Sequence, residues 1–440
     1  MAPRFANLCV FVTGYGYHEA SWKVATVDHP GLPGLDHFTQ IAQLAERGVL
    51  DSLFFADGLG VVPFRTTYMA QSGYDPIDLL AALIPVTKHI GLAATASTTY
   101  SQPWDVARRF ATLDHLSGGR AAWNIVTSYH AIAAANFGRA DQPAHNDRYE
   151  RAHEYVEAVC KVWDGWEDDA VVADRATGVW ADPAKLHPPD HHGAEYGVAG
   201  ILPIPRSPQG RPVLVQAGSS PAGVALAARF AELVFTPQAS VEQGIAFRER
   251  MRSEAASNGR SPDSVRLLPG LSFVLGSTDS EAKRGWQELE DASSSEFRLL
   301  NLFGIAGIDP LTVGEFDPDG AFPFHLFDAA NNKTFAQAVR DAATKGNLSF
   351  RQTADRFSAL PGGLHFTGTP EGLADLIETW WRDGAADGFT LQPLRLPRDL
   401  ELFVESVTPI LRRRGVVKPE YLGGTLREEL GLARPANMHV

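Results

Sequence analysis

Short apolar runs, each followed by a stretch of helical period, constrain this chain more than any other feature. The runs lie at 8–12, 51–56, 90–94, 121–126, 212–216, 233–235, 265–274 and 388–391. Segments of helical period follow at 35–47, 76–87, 103–116, 147–163 and 221–230, then up to 250 and across 400–413. Pro103 and Pro221 suit first helical turns, where a missing N–H costs nothing. The runs are apolar throughout rather than alternating, which is the pattern of strands buried on both faces. Strand–helix pairs repeated in this way predict an α/β fold, a closed (β/α)8 TIM barrel rather than an open sheet. The 440 residues exceed a bare barrel, and the surplus falls at 59–74, 128–146, 165–211 and 293–365. The expected organisation is one barrel domain over 1–440, with these insertions at the carboxyl ends of the strands, where sites and lids are built. The tail after Arg414 reads as an extended arm packed on a neighbouring subunit.

Composition narrows the function. A net charge of −13 opposes a nucleic-acid surface but permits one local anion pocket. Cys9 and Cys160, the two cysteines, read as buried reduced thiols. The first apolar run is too short for a signal peptide, and none approaches the roughly 20 residues of a membrane span. A soluble cytoplasmic protein is expected.

Polar residues at strand exits carry the site. Asn124 interrupts the run 121–126, and Thr127 and Ser128 close it. His145, Asn146, Asp147, Arg148 and Tyr149 then open a helix. In Gln216-Ala-Gly-Ser-Ser-Pro-Ala-Gly223, Gly218 allows a tight turn, and Ser219 and Ser220 offer hydroxyls and N–H groups at a helix start. That is a phosphate cup or a plain serine cap. The preceding strand and the second donor cluster at 145–149 favour the cup. Asp57 ends the second strand and serves as a base, a metal ligand, an acceptor from a ligand N–H, or the cap of its own loop. Thr95, Ala96 and Ser97 are small enough for a flat ring to approach the third strand's backbone. His18, in the loop after the first strand, either gives a proton to a reacting oxygen or bonds within its loop. Phe11, Tyr15, Tyr17, Phe54 and Phe55 border a water-excluding pocket or belong to the core.

Two other signals are set aside. Gly14-Tyr-Gly16-Tyr-His-Glu19 lacks the third glycine of a dinucleotide fingerprint. His187, Asp190, His191 and His192 sit in a proline-rich loop with no fixed spacing, so no metal site is expected.

The blocks AERGVLDSLFFADGLG, PWDVARRFATLDHLSGGRAAWNIVTS, HNDRYERAHEYVE and SPQGRPVLVQAGSSPAG occur in this order. With them, the chain resembles the bacterial luciferase-like flavin monooxygenases over residues 8–411. More narrowly, it resembles the branch of nitrilotriacetate monooxygenase, pristinamycin IIA synthase and dibenzothiophene-sulfone monooxygenase. The resemblance implies a barrel that takes reduced FMN (FMNH2) and O2 and inserts one oxygen atom into a small organic substrate. It places Asp57 and Thr95 near the isoalloxazine, Asn124 at its polar edge, and His145, Tyr149, Ser219 and Ser220 on the ribityl phosphate. It also implies a homodimer or homotetramer. With no nicotinamide fingerprint, the flavin is expected from a separate NAD(P)H:FMN oxidoreductase. Phe303, Phe316, Phe322, Phe324 and Phe327 favour an apolar, heterocyclic or organosulfur substrate, whereas Arg65 would suit an aminopolycarboxylate. Competing readings are an F420-dependent oxidoreductase on the same barrel and a flavin-binding protein without catalysis.

Overall fold

The structure, a computed structural model, describes residues 5–25, 31–61, 63–70, 73–128, 132–218, 220–306, 308, 310–328, 333–358 and 363–440. The strands that matter are β1 (Asn7–Phe11), β2 (Ser52–Phe55), β3 (Gly91–Ser97), β4 (Ala121–Val126), β5 (Val213–Ala217), β6 (Leu233–Thr236), β7 (Arg266–Leu275) and β8 (Gly388–Pro393). Each pairs in parallel with its neighbours in chain order. The pairings β1–β8 and β6–β7 complete the ring. The expected closed barrel is therefore the fold. An additional strand, Leu364–Gly368, pairs in parallel with the upper half of β7, along the edge whose lower half pairs with β6; its sequence falls at the end of the expected 293–365 insertion.

Alternation along each strand sorts the core into two layers. Cys9, Phe54, Ala93, Ala122, Val213, Val215, Phe235 and Leu268 form the inner cluster. Leu8, Leu53, Leu92, Trp123, Leu214 and Leu391 belong to the outer one, against the helices. Both layers are apolar, which is why the strands read as continuous runs. The surrounding helices include α1 (Leu35–Arg47), α2 (Pro76–Leu83), α3 (Pro103–Ser117), α4 (His145–Trp163), α5 (Pro221–Phe230), α6 (Val241–Ser257), α7 (Asp279–Ala292) and α8 (Pro370–Arg382), and the helical segment 398–413 follows β8. Proline opens α2, α3, α5 and α8, and Gly118, at φ 73°, ends α3 in the left-handed conformation that glycine tolerates best. Among the described residues no helix is long and apolar enough to cross a membrane.

Three expectations need correction. The segment 165–211 follows α4, a helix, so it leaves from the amino-terminal face of the barrel rather than from a strand's carboxyl end. There Arg206 and Arg211 pair with Asp164, and Gln209 donates to Asp114 at 2.7 Å. It climbs outside the barrel until the Tyr196 hydroxyl donates to the Thr98 carbonyl at 3.3 Å. The tail, second, folds under its own barrel. Leu426 and Leu430 join the inner cluster from below, Lys418 bonds Asp51 and Glu429, and Arg427 pairs with Glu232. Third, the phenylalanines of the last insertion are spent on one another. Phe303, Phe322, Phe327 and Phe350 are buried in a cluster separate from the barrel, so they give no argument for an apolar substrate.

Candidate active site

The inner residues at the strands' carboxyl ends change from apolar to polar, and this change makes the site. Its floor is aromatic: Phe54 lies 4.4 Å from Phe235 and 5.1 Å from Phe11, ring centre to ring centre. Above it, the β3–β4 register sets Thr95 beside Asn124. Thr95 Oγ1 donates to the Phe55 carbonyl at 2.7 Å and accepts from Asn124 Nδ2 at 2.8 Å. The other end of that amide, Asn124 Oδ1, is buried without a partner among the described residues. A lone buried acceptor costs roughly 1–3 kcal/mol. It persists where something outside the chain supplies the donor.

A second polar group gathers where α4 and α5 begin. His145 and Tyr149 share the first turns of α4, their rings 4.9 Å apart. Ser220 caps α5, its Oγ accepting from Gly223 N at 3.1 Å. The capping reading of the serine therefore holds; a capping hydroxyl also sits at the positive end of the helix, where an anion would be favoured. A Cβ on Gly223 would lie 3.2 Å from Ser220 Oγ, 3.3 Å from Tyr149 Oη and 3.5 Å from Gln216 Nε2. Three polar atoms from two helices and a strand thus converge on space that a side chain would fill. Free amides, hydroxyls and a helix dipole suit a phosphate. Ser219 lies outside the described residues.

Asp57 stands half-buried past the end of β2. Burial first, then the charge of Asp75, pushes its carboxyl up to about 6. Asp75 itself caps α2 and pairs with Arg109 at 3.2 Å. His18 is closed off from solvent: Nδ1 accepts from Ala20 N at 3.2 Å, the bond within its own loop. Its Nε2 has no hydrogen-bond partner among the described residues and stands 3.8 Å from Glu290 Oε1. Nearby, His365 touches Ser272 Oγ at 3.0 Å and Thr367 Oγ1 at 2.8 Å, and burial lowers its imidazole to about 4. The loop histidines take different partners: His187 bonds Glu167 at 2.8 Å, His191 approaches Lys161 at 3.2 Å, and His192 bonds Asp190 at 3.0 Å. Burial raises the thiols of Cys9 and Cys160 to about 12 and about 11, so neither is a nucleophile at neutral pH.

Thus Thr95 meets Asn124, and His145 and Tyr149 meet Ser220, whereas His18 sits in a wall with Glu290. Sequence reasoning missed Phe235 as part of the floor, and it began the 216–223 segment at Gln216 without giving that side chain a role. The alternation of 233–235 could have pointed Phe235 inward.

The geometry has relatives. The family model described as luciferase-like monooxygenase matches residues 10–388. The chain belongs to that family. With membership comes the enzyme class, a flavin-dependent monooxygenase. The chain is 41% identical over 441 residues to an N-acetyl-S-(2-succino)cysteine monooxygenase of Bacillus subtilis (strain 168), covering 98% of both chains. It is 39% identical over 447 residues to nitrilotriacetate monooxygenase component A of Aminobacter aminovorans, covering 99% of this chain and 98% of that one. Among solved structures, a riboflavin lyase with modified FMN and riboflavin superposes with a TM-score of 0.83 at 33% identity, over 97% of this chain and 95% of that one.

Proposed function

We propose that this protein is the oxygenating component of a two-component system, taking FMNH2 from a separate NAD(P)H:FMN oxidoreductase and inserting one atom of O2 into a small organic molecule. The observation that carries the FMN assignment is the pairing of a polar-edged aromatic floor with a phosphate cup in the mouth of one barrel. The residues fit the cofactor: Asn124 Oδ1 lacks a donor, and the space at Gly223 is lined by Ser220, Tyr149 and Gln216. Tyr149, Ser220, His145 and, by resemblance, Ser219 would hold the phosphate. Asn124 would meet the ring's polar edge, and Thr95 and Asp57 would lie beside the ring.

Bound FMNH2 supplies two electrons and the centre that activates O2, one oxygen atom entering the substrate and the other leaving as water. The chain's own part would be to grip the phosphate, hold the ring in the mouth of the barrel, whose floor is Phe11, Phe54 and Phe235, and exclude water. The helices Ser295–Ala306 and Pro63–Tyr68 lie against each other at the rim beside β1 and β2, where they would serve as a lid. A partner reductase is supported by the relative named as a component A. Free, buried cysteines agree with a reducing cytoplasm. The homo-oligomer implied by the resemblance is kept as part of the proposal.

The substrate class stays open between aminopolycarboxylates and apolar or organosulfur compounds. Arg65, at the rim, contacts Asn301 of the last insertion at 3.2 Å. Incubation with an FMN reductase, NADH and 18O2 over both substrate classes, read by mass, should yield a product carrying one labelled oxygen. Turnover with reduced F420 alone would refute the proposal, and tight FMN binding without any oxygenation would favour the non-catalytic reading. Tyr149→Phe should weaken FMN binding by about 1 kcal/mol or more, as for a bond to a charged group; unchanged affinity would remove Tyr149 from the phosphate.

A further inference from the structure

We infer that Gln216 is a further side chain of the phosphate cup, reaching the ribityl phosphate alongside Tyr149 and Ser220. The inference rests on the FMN reading above. On β5, Val213 and Val215 belong to the inner cluster and Leu214 to the outer one. Alternation therefore turns Gln216 out of the barrel, toward the layer where α4 and α5 begin. Outward residues of these strands are mostly apolar, and a leucine or methionine would pack there without a polar debt. Instead a carboxamide is buried, 2% exposed, with Oε1 lacking any partner among the described residues.

The amide is aimed at the cup. Its Nε2 would lie 2.8 Å from a Cβ on Gly218 and 3.5 Å from one on Gly223. Glycine at both positions leaves the carboxamide a path to the space that Ser220 and Tyr149 also line. A carboxamide offers a donor and an acceptor. A phosphate monoester, with a second pKa near 6, accepts from Nε2–H in either charge state. Its monoanion also carries a P–O–H that can donate to Oε1. Gln216 thus completes the cup with a neutral group that binds either form. It acts on the phosphate alone, so it separates FMN from riboflavin.

Anaerobic calorimetry with reduced FMN and reduced riboflavin tests this on the wild type, Gln216→Met and Gln216→Glu. For Q216M the Kd for FMN should rise about tenfold or more, as for a lost bond to a charged group, with riboflavin unchanged. Q216E is nearly isosteric and carries the test if Q216M fails to fold. Its loss of FMN affinity should exceed that of Q216M and grow as pH rises through about 6, where phosphate and carboxylate are both charged. An FMN Kd within twofold of wild type in either variant, or equal weakening for both flavins, would overturn the role of Gln216. Wild type binding riboflavin as tightly as FMN would instead sink the phosphate cup itself, and this inference with it.

Discussion

Replacing Asn124 with leucine should cost the enzyme its flavin grip while leaving the empty protein as stable as before, or more so. The structure sets two opposing terms. The substitution removes the 2.8 Å bond from Nδ2 to Thr95 Oγ1, worth about 1 kcal/mol net. It also removes Oδ1, buried without a partner among the described residues, whose desolvation costs roughly 1–3 kcal/mol. Thr95 keeps its own acceptor, the Phe55 carbonyl, so no new orphan donor appears. The balance is between about 0 and 2 kcal/mol in favour of the variant. At roughly 2.1 cal/mol/K per residue, a chain this long has an unfolding entropy near 0.9 kcal/mol/K, so Tm should rise by at most about 2 °C. The same oxygen is the acceptor proposed for a flavin ring N–H, and losing it should weaken FMN binding about fivefold, near 1 kcal/mol. Thermal melts with and without saturating FMN read both numbers on one sample, since the ligand-induced rise in Tm falls with affinity. A variant that melts several degrees lower without flavin, or that binds FMN like wild type, would refute the reasoning. The first outcome would make Asn124 a structural residue, the second a residue remote from the ring.

Other perturbations separate the cup, the carboxylate and the tail. Gly223→Ala puts a methyl group 3.2–3.5 Å from Ser220, Tyr149 and Gln216; it should raise the FMN Kd about tenfold while helix propensity offsets the crowding to within about 1 kcal/mol. Flavin titration checks it, and unchanged affinity would show that the space holds no phosphate. Asp57, raised from 3.8 to about 6 by burial and Asp75, keeps its proton longer folded than unfolded. Its contribution is therefore greatest below 3.8 and is lost as pH rises through about 6. The Tm of wild type minus that of Asp57→Asn should fall across that window, and a flat difference would contradict the shift. Lys418→Met strands the buried carboxylates of Asp51 and Glu429; breaking such a pair costs about 3–5 kcal/mol, or roughly 4 °C in Tm for this chain. A drop below 1 °C would show that the tail does not clamp the barrel.

The barrel was legible because its strands are buried on both faces, so each is an apolar run that periodicity finds. The same uniformity makes a polar residue inside a run stand out: Asn124 within 121–126 has no packing reason to be there, and the structure leaves half its amide unpartnered. Gln216 breaks the rule equally, but it ends its run, and a polar residue at a strand's end reads as the exit to solvent. Only the path of β5 between α4 and α5, which no local pattern encodes, shows that this exit is buried. The strand Leu364–Gly368 escaped because its burial is only partial, so it lacks the continuous apolar signal of its neighbours. Composition misled for a related reason. A long insertion can bury its own core, and once Phe303, Phe322, Phe327 and Phe350 pack on one another, their count says nothing about the substrate. The tail was misread because Leu426 and Leu430 are isolated apolar residues in a polar stretch. Their partners, Cys9, Ala93 and Leu268 on three separate strands, come together only when the ring closes. Local rules therefore reveal residues that violate their own element, and they miss residues whose role is set by which elements meet. The proposed flavin site contains both kinds: Asn124 stands out within its own apolar run, whereas Gln216 stands out only once β5 is placed between α4 and α5.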